Sequence, residues 1–171
     1  MLGTMRRDLR VQFIHGLESS PQGAKAQLFA RHFDARTPAM DTHDFAASVA
    51  VQAAVLREFD PHVLVGSSYG GAIAVALLQR GDWRGPTLLL AQAALRRGQP
   101  AWLPEKVTVW LVHGQRDEII DPEDSRVLAR SGSPDRVRLF EVDDVHSLHT
   151  TVEDGRLVAW VEALASTRAA G

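Results

Sequence analysis

Cysteine is absent from the 171-residue chain. Disulfides, thiolate metal sites and a cysteine nucleophile are thereby excluded, and the lack of disulfides fits a reducing, cytoplasmic compartment. A charge excess is missing too: nineteen Lys and Arg oppose twenty-one Asp and Glu, for a net charge of −2. That balance does not favour nucleic acid, and the pairs Arg6-Arg7 and Arg96-Arg97 are too short to make a polyanion-binding face. Apolar stretches such as Thr87 to Leu95 fall far short of the roughly 20 residues of a membrane span. Met1 to Arg10 carry charge with no apolar segment behind it, unlike a secretory signal. No repeat, low-complexity segment or Pro/Gly/Ser linker divides the chain. The expectation is one domain over residues 1–171, with flexible tails at 1–8 and 167–171.

What is present is an ordinary globular composition, 45% apolar and 23% charged, long enough to bury a core without staples. Short apolar runs alternate with amphipathic stretches. Val11 to Ile14, Val63 to Val65, Thr87 to Leu90, Val107 to Val112 and Val137 to Val142 read as strands covered on both faces. The last, with Arg138 and Glu141, suits a sheet edge, and a weaker strand is expected near Asp34 to Thr37. Helical stripes fill the gaps: Ala26, Phe29, Ala30 and Phe33; Phe45, Val49, Ala53 and Leu56; Leu157, Trp160, Val161 and Leu164. Gly71 to Gln79 is helical as well. Ser20-Pro21 and Asp121-Pro122 each read as a cap followed by the first helical residue. Strands alternating with helices imply an α/β class: a three-layer α/β/α arrangement around a mostly parallel sheet of about six strands. Ligands of such sheets bind beyond the carboxyl ends of the strands.

The chemistry-bearing residues lie at those ends. Gly66, Ser68 and Gly70 form G-x-S-x-G between an apolar strand and an apolar helix. That context marks a sharp turn with Ser68 at its apex, exposed as a nucleophile. The flanking glycines remove Cβ atoms that would clash. The alternative is a plain tight turn with Ser68 as a cap; Ser67 is off the centre of the glycine spacing. A serine hydroxyl needs a base within hydrogen-bond reach. Asp117 follows the strand ending at Val112 and His146 follows the strand ending at Val142, in the order nucleophile, acid, base. Glu118 and Asp121 are rival acids, Asp121 being better used as a cap. His149 is the rival base, and His146 and His149 with Asp143 or Asp144 form the only hint of a metal site. No metal and no cofactor is expected. An oxyanion needs two amide donors: Tyr69, just after the nucleophile, and Leu17, in the loop after the first strand, where Gly16 permits close approach. His15 and Gly16 are candidates for substrate contact, His15 alternatively a structural residue at the strand end, since His113-Gly114 repeats the pattern.

So assembled, the chain resembles the α/β-hydrolase superfamily over nearly its whole length. His15-Gly16 resembles its oxyanion loop, Gly66 to Gly70 its nucleophile elbow, His113-Gly114 through Asp117 its acid loop, and His146 its base. The phrase from His15 to Lys25 is similar to small bacterial esterases acting on short acyl esters or thioesters. The resemblance implies a compact form of the fold without the first two strands. It also implies no large lid, since Gln92 to Lys106 allows at most a small flap carrying Trp102. The expected partner is a small acyl substrate. A non-catalytic binding protein on the same scaffold and a small amide or peptide hydrolase are the competing readings.

Overall fold

A computed structural model describes residues 5–17 and 19–169. Six strands form one sheet: β1 (Arg6–Ile14), β2 (Phe33–Arg36), β3 (Val63–Ser67), β4 (Thr87–Leu90), β5 (Val109–Gly114) and β6 (Val137–Val142). Their order is β2-β1-β3-β4-β5-β6, and every adjacent pair is parallel. Among the described residues, α1 (Ala24–His32), α2 (Phe45–Phe59), α3 (Tyr69–Arg80) and α4 (Pro122–Ala129) lie between strands, and α5 (His149–Glu153) and α6 (Arg156–Ala169) follow β6.

The layers follow from the two-residue period of side chains along a strand. Leu64, Leu89 and Leu111 face α2, α3 and α4, where they pack with Val49, Leu56, Ile73, Leu77 and Leu128. The alternate positions Val63, Val65, Leu88, Leu90 and Val112 face α1 and α6, packing with Phe29, Leu157, Val161 and Leu164. Both faces are covered, so the central strands read as continuous apolar runs. β6 lies at the edge, where Arg138 and Glu141 are exposed, and β2 is the weaker strand expected near Asp34.

Several local expectations are corrected. α1 begins three residues after Pro21, with Gly23 as its N-cap; the Ser20 hydroxyl accepts instead from the Gln22 amide in a preceding turn. The α1 stripe is Ala26, Leu28 and Phe29; Ala30 is exposed, and Phe33 is buried from the start of β2. Asp121 does cap α4, accepting from the Glu123 amide at 2.9 Å with Pro122 at the first position. Residues 6–8 belong to β1 and 167–169 to α6, not to tails. The Arg7 guanidinium donates to the carbonyls of Ala30 and Phe33, and Arg168 donates to Pro61 O, which holds both ends down. Residues 1–4 and 170–171 of those expected tails lie outside the described residues. Gln92 to Lys106, where at most a small flap is expected, is anchored along its length. A 3₁₀ turn (Leu95–Arg97) opens it, Gln79 donates to the carbonyls of Pro100 and Trp102, and Leu103 N donates to Ser131 Oγ. The segment is thus tied to α3 and to the turn after α4. Among the described residues no helix is long and apolar enough to cross a membrane.

The tightest point of the framework is the β3–α3 junction. A Cβ on Gly70 would overlap the carbonyl of Ile14 in β1, and one on Gly66 would press on the carbonyl of Gly70. Gly70→Ala is therefore expected to cost at least about 3 kcal/mol, since backbone rather than a flexible side chain blocks the methyl. Urea denaturation of the variant measures this; a loss under about 1 kcal/mol would mean that the junction yields.

Candidate active site

Ser68 sits at the apex of the β3–α3 turn with φ 55° and ψ −115°. This is left-handed backbone, costly for a residue with a side chain, by about 1–3 kcal/mol. Surrounding bonds hold it there. Ser68 N donates to Leu90 O at 2.9 Å, and Ser68 O accepts from the amides of Gly71 at 2.9 Å, Ala72 at 3.2 Å and Ala93 at 3.0 Å. The geometry pushes Ser68 Oγ out of the turn, beside the positive end of α3.

The loops beyond β5 and β6 bring two partners to it. Ser68 Oγ lies 3.0 Å from His146 Nε2, and His146 Nδ1 lies 2.7 Å from Asp117 Oδ2. Asp117 is buried, and its other oxygen accepts from the amides of Ile119 at 2.8 Å and Ile120 at 2.9 Å. Those amides fix the carboxylate's plane, and the carboxylate in turn fixes the imidazole, whose Nδ1 donates to it and whose Nε2 faces the serine.

These groups open onto a cleft of about 1170 Å³ whose walls include Phe13, Leu17, Ile119 and Val145. Gly16 and Leu17 line it beside Ser68; a Cβ on Gly16 would stand 3.4 Å from that of Ser68. Among the described residues the amides of Leu17 and Tyr69 donate to no loop carbonyl or side chain. The Tyr69 amide is among the first of α3, which have no partner inside the helix. Leu17 thus lies in the cleft wall with Ser68, and Tyr69 is that serine's neighbour in the chain.

Residues 10–94 match the model of an uncharacterised protein family, UPF0227, a span that includes Leu17 and Ser68 but stops short of Asp117 and His146. No curated protein matches the chain. Among solved structures, a Xanthomonas campestris pv. campestris protein assigned to the alpha/beta hydrolase superfamily is 26% identical, with a TM-score of 0.74 over 95% of this chain and 99% of its own. Alpha/beta hydrolase domain-containing protein 10 from mouse aligns at 16% identity and TM-score 0.77, over 92% of this chain and 90% of its own. A Paleococcus ferrophilus monoacylglycerol lipase aligns at 14% identity and TM-score 0.69, over 95% and 96%. The chain has the α/β-hydrolase fold.

Within that fold the rival residues fall elsewhere. Glu118 lines the cleft but bonds neither histidine, and Asp121 is spent as the α4 cap. His149 is exposed at the start of α5, its Nδ1 3.2 Å from Ser147 Oγ and 3.8 Å from Asp144. His15 is buried at the strand end and is not among the residues that line the cleft. Its buried ring donates from Nδ1 to Gly16 O at 2.8 Å, as the structural reading of the strand end expects. Asp143 pairs with Arg116 at the surface. Among the described residues no group of three or more His, Asp or Glu converges on a metal position.

Two supports had no sequence signal. Lys25, on α1, donates to Ser147 O at 2.8 Å and ties that helix to the residue after His146. Burial in the cleft wall pushes its ammonium below the ordinary lysine range, partly offset by the charge of Asp144. Asp144 is buried two residues before His146 and accepts from Val145 N at 2.8 Å, Thr151 N at 2.9 Å and Thr151 Oγ1 at 2.8 Å. Burial pushes its carboxyl up, but the Thr151 and Val145 donors outweigh this and hold it below the ordinary carboxylate range. A depressed carboxyl stabilises the fold above its unfolded-state value and loses that contribution as pH falls through the folded one. Asp144→Asn is thus expected to cost about 1–3 kcal/mol at pH 7, with the gap to the parent narrowing below about pH 4. Urea unfolding across pH reads both; a gap independent of pH would contradict the role of the charge.

Proposed function

We propose that the protein is a serine hydrolase cleaving small acyl esters or thioesters through an acyl-enzyme intermediate. The observation that carries this reading is the unbroken run from Ser68 Oγ through His146, 3.0 Å on one side, to Asp117, 2.7 Å on the other. In the proposed reaction, Ser68 Oγ attacks the acyl carbonyl while His146 Nε2 takes its proton. Asp117 steadies the imidazolium, and the amides of Leu17 and Tyr69 receive the oxyanion at the positive end of α3. As the tetrahedral species collapses, His146 returns the proton to the leaving oxygen or sulfur. Water, deprotonated by the same nitrogen, then clears the acyl group from Ser68.

The cleft supports the choice of substrate size. Its walls set Phe13, Leu17, Ile119 and Val145 among polar side chains such as Lys25, Arg116 and Glu118, and Gln92 to Lys106, tied down by Gln79, does not roof it. Short or exposed acyl groups suit such a site better than long lipid chains. We place the enzyme in the cytoplasm on the absence of cysteine.

The test is a panel of aryl esters, acyl thioesters and matched amides of graded chain length. Short esters and thioesters are expected to be the faster substrates, and Ser68→Ala to lower kcat/KM at least about ten-thousand-fold with an unchanged melting temperature. Activity that survives the substitution would overturn the assignment.

A further inference from the structure

Asp117 has a second histidine behind it. His113, at the end of β5, is wholly buried, and its Nε2 stands 3.1 Å from Asp117 Oδ2, the oxygen that also receives His146, and 3.0 Å from Ile120 O. Both neighbours accept hydrogen bonds and cannot donate them, so Nε2 must carry the proton. The other side of the ring is equally determined. Gln92 Oε1 accepts from Ala94 N at 2.8 Å, which turns the Gln92 amide nitrogen toward Ser125 Oγ at 3.0 Å. That nitrogen only donates, so Ser125 Oγ accepts from it. The serine's own proton is then free for His113 Nδ1, 2.7 Å away. The hydrogen bonds therefore run one way, from Gln92 through Ser125 and His113 to Asp117. Gln92, His113 and Ser125 are all fully buried, where an unmatched donor or acceptor is expensive.

We infer that His113, locked by Gln92 and Ser125 as the Nε2-protonated, Nδ1-bare tautomer, is a positioning residue that holds the Asp117 carboxylate in line for His146. The inference rests on the triad reading above. It assigns a task to a buried histidine that the proposed reaction does not otherwise use. Without the Nε2 donor, Asp117 Oδ2 keeps only His146, and the carboxylate is free to tilt about the Ile119 and Ile120 amides. A tilt would swing the imidazole away from Ser68 while leaving the cleft walls in place, so turnover suffers and substrate binding does not.

The first measurement uses the unaltered protein. Nitrogen-15 NMR of its histidines at neutral pH is expected to show His113 with a protonated Nε2 and a bare Nδ1; a proton on Nδ1 overturns the inference. This result does not depend on any activity, so it stands apart from the Ser68→Ala test of the parent reading. The second compares His113→Leu, which removes the donor, with His113→Gln, whose amide restores one near the Nε2 position. With short aryl esters, His113→Leu is expected to lower kcat about 10- to 100-fold with KM within about threefold, and His113→Gln to recover to within about fivefold of the parent. A folded His113→Leu with parental kcat, or equal losses in both variants, overturns it. If His113→Leu does not fold, Ser125→Ala replaces it. Its expected signature is loss of the single His113 tautomer together with a severalfold lower kcat, and an unchanged tautomer with unchanged kcat overturns the inference.

Discussion

The left-handed peptide at Ser68 is the constraint from which the rest of the molecule takes its layout. A φ of 55° at a non-glycine residue persists only if its surroundings insist on it. Here they do so through four backbone bonds, one from Ser68 N to β4's last residue and three received by Ser68 O from α3 and from Ala93. The chain can make those bonds only if β3 and β4 are adjacent and α3 starts at once. The start of α3 presses so closely on β1 that Gly70 admits no side chain. The same contact presents a hydroxyl above the sheet, beside a helix's positive end. Stability and reactivity therefore draw on one feature: the core around Ile14, Leu64, Ile73 and Leu77 holds the turn that exposes the serine.

Around the elbow, orientation comes from buried polar groups with every bond assigned. Asp117 is held by two loop amides and two histidines, and Asp144 by two amides and a hydroxyl. Among the described residues neither acid hydrogen-bonds a lysine or arginine. Neutral donors hold a carboxylate in a fixed plane, leaving its charge available to a neighbouring imidazole. Lys25 reaches the His146 loop as well, but through a carbonyl, not through either acid.

Much of this was legible in the residues. The strands announced themselves because burial on both faces demands unbroken Val and Leu runs, as in Val63 to Val65 and Thr87 to Leu90. The elbow was legible because its sterics demand glycine at fixed offsets from Ser68. Asp117 and His146 followed from their places after β5 and β6. Less was legible where the cause is tertiary. The start of α1 at Ala24, the exposure of Ala30 and the anchoring of Gln92 to Lys106 depend on what each segment meets, not on its own pattern. Lys25 and Ser147 are 122 residues apart, and no spacing rule joins them. His15 and His113 look alike in sequence, each a histidine-glycine pair at a strand end. Only the packing separates them: one ring braces the Gly16 carbonyl, the other stands behind Asp117.

The central claim is that Ser68 is a nucleophile because His146 and Asp117 make it one. Its most direct measurement is the rate and position of covalent modification by a fluorophosphonate, followed by intact mass and peptide mapping. The account expects a single adduct, on Ser68, formed at least about a hundredfold more slowly in His146→Ala and markedly more slowly in Asp117→Asn. An adduct on another residue, or a labelling rate indifferent to both substitutions, would contradict it.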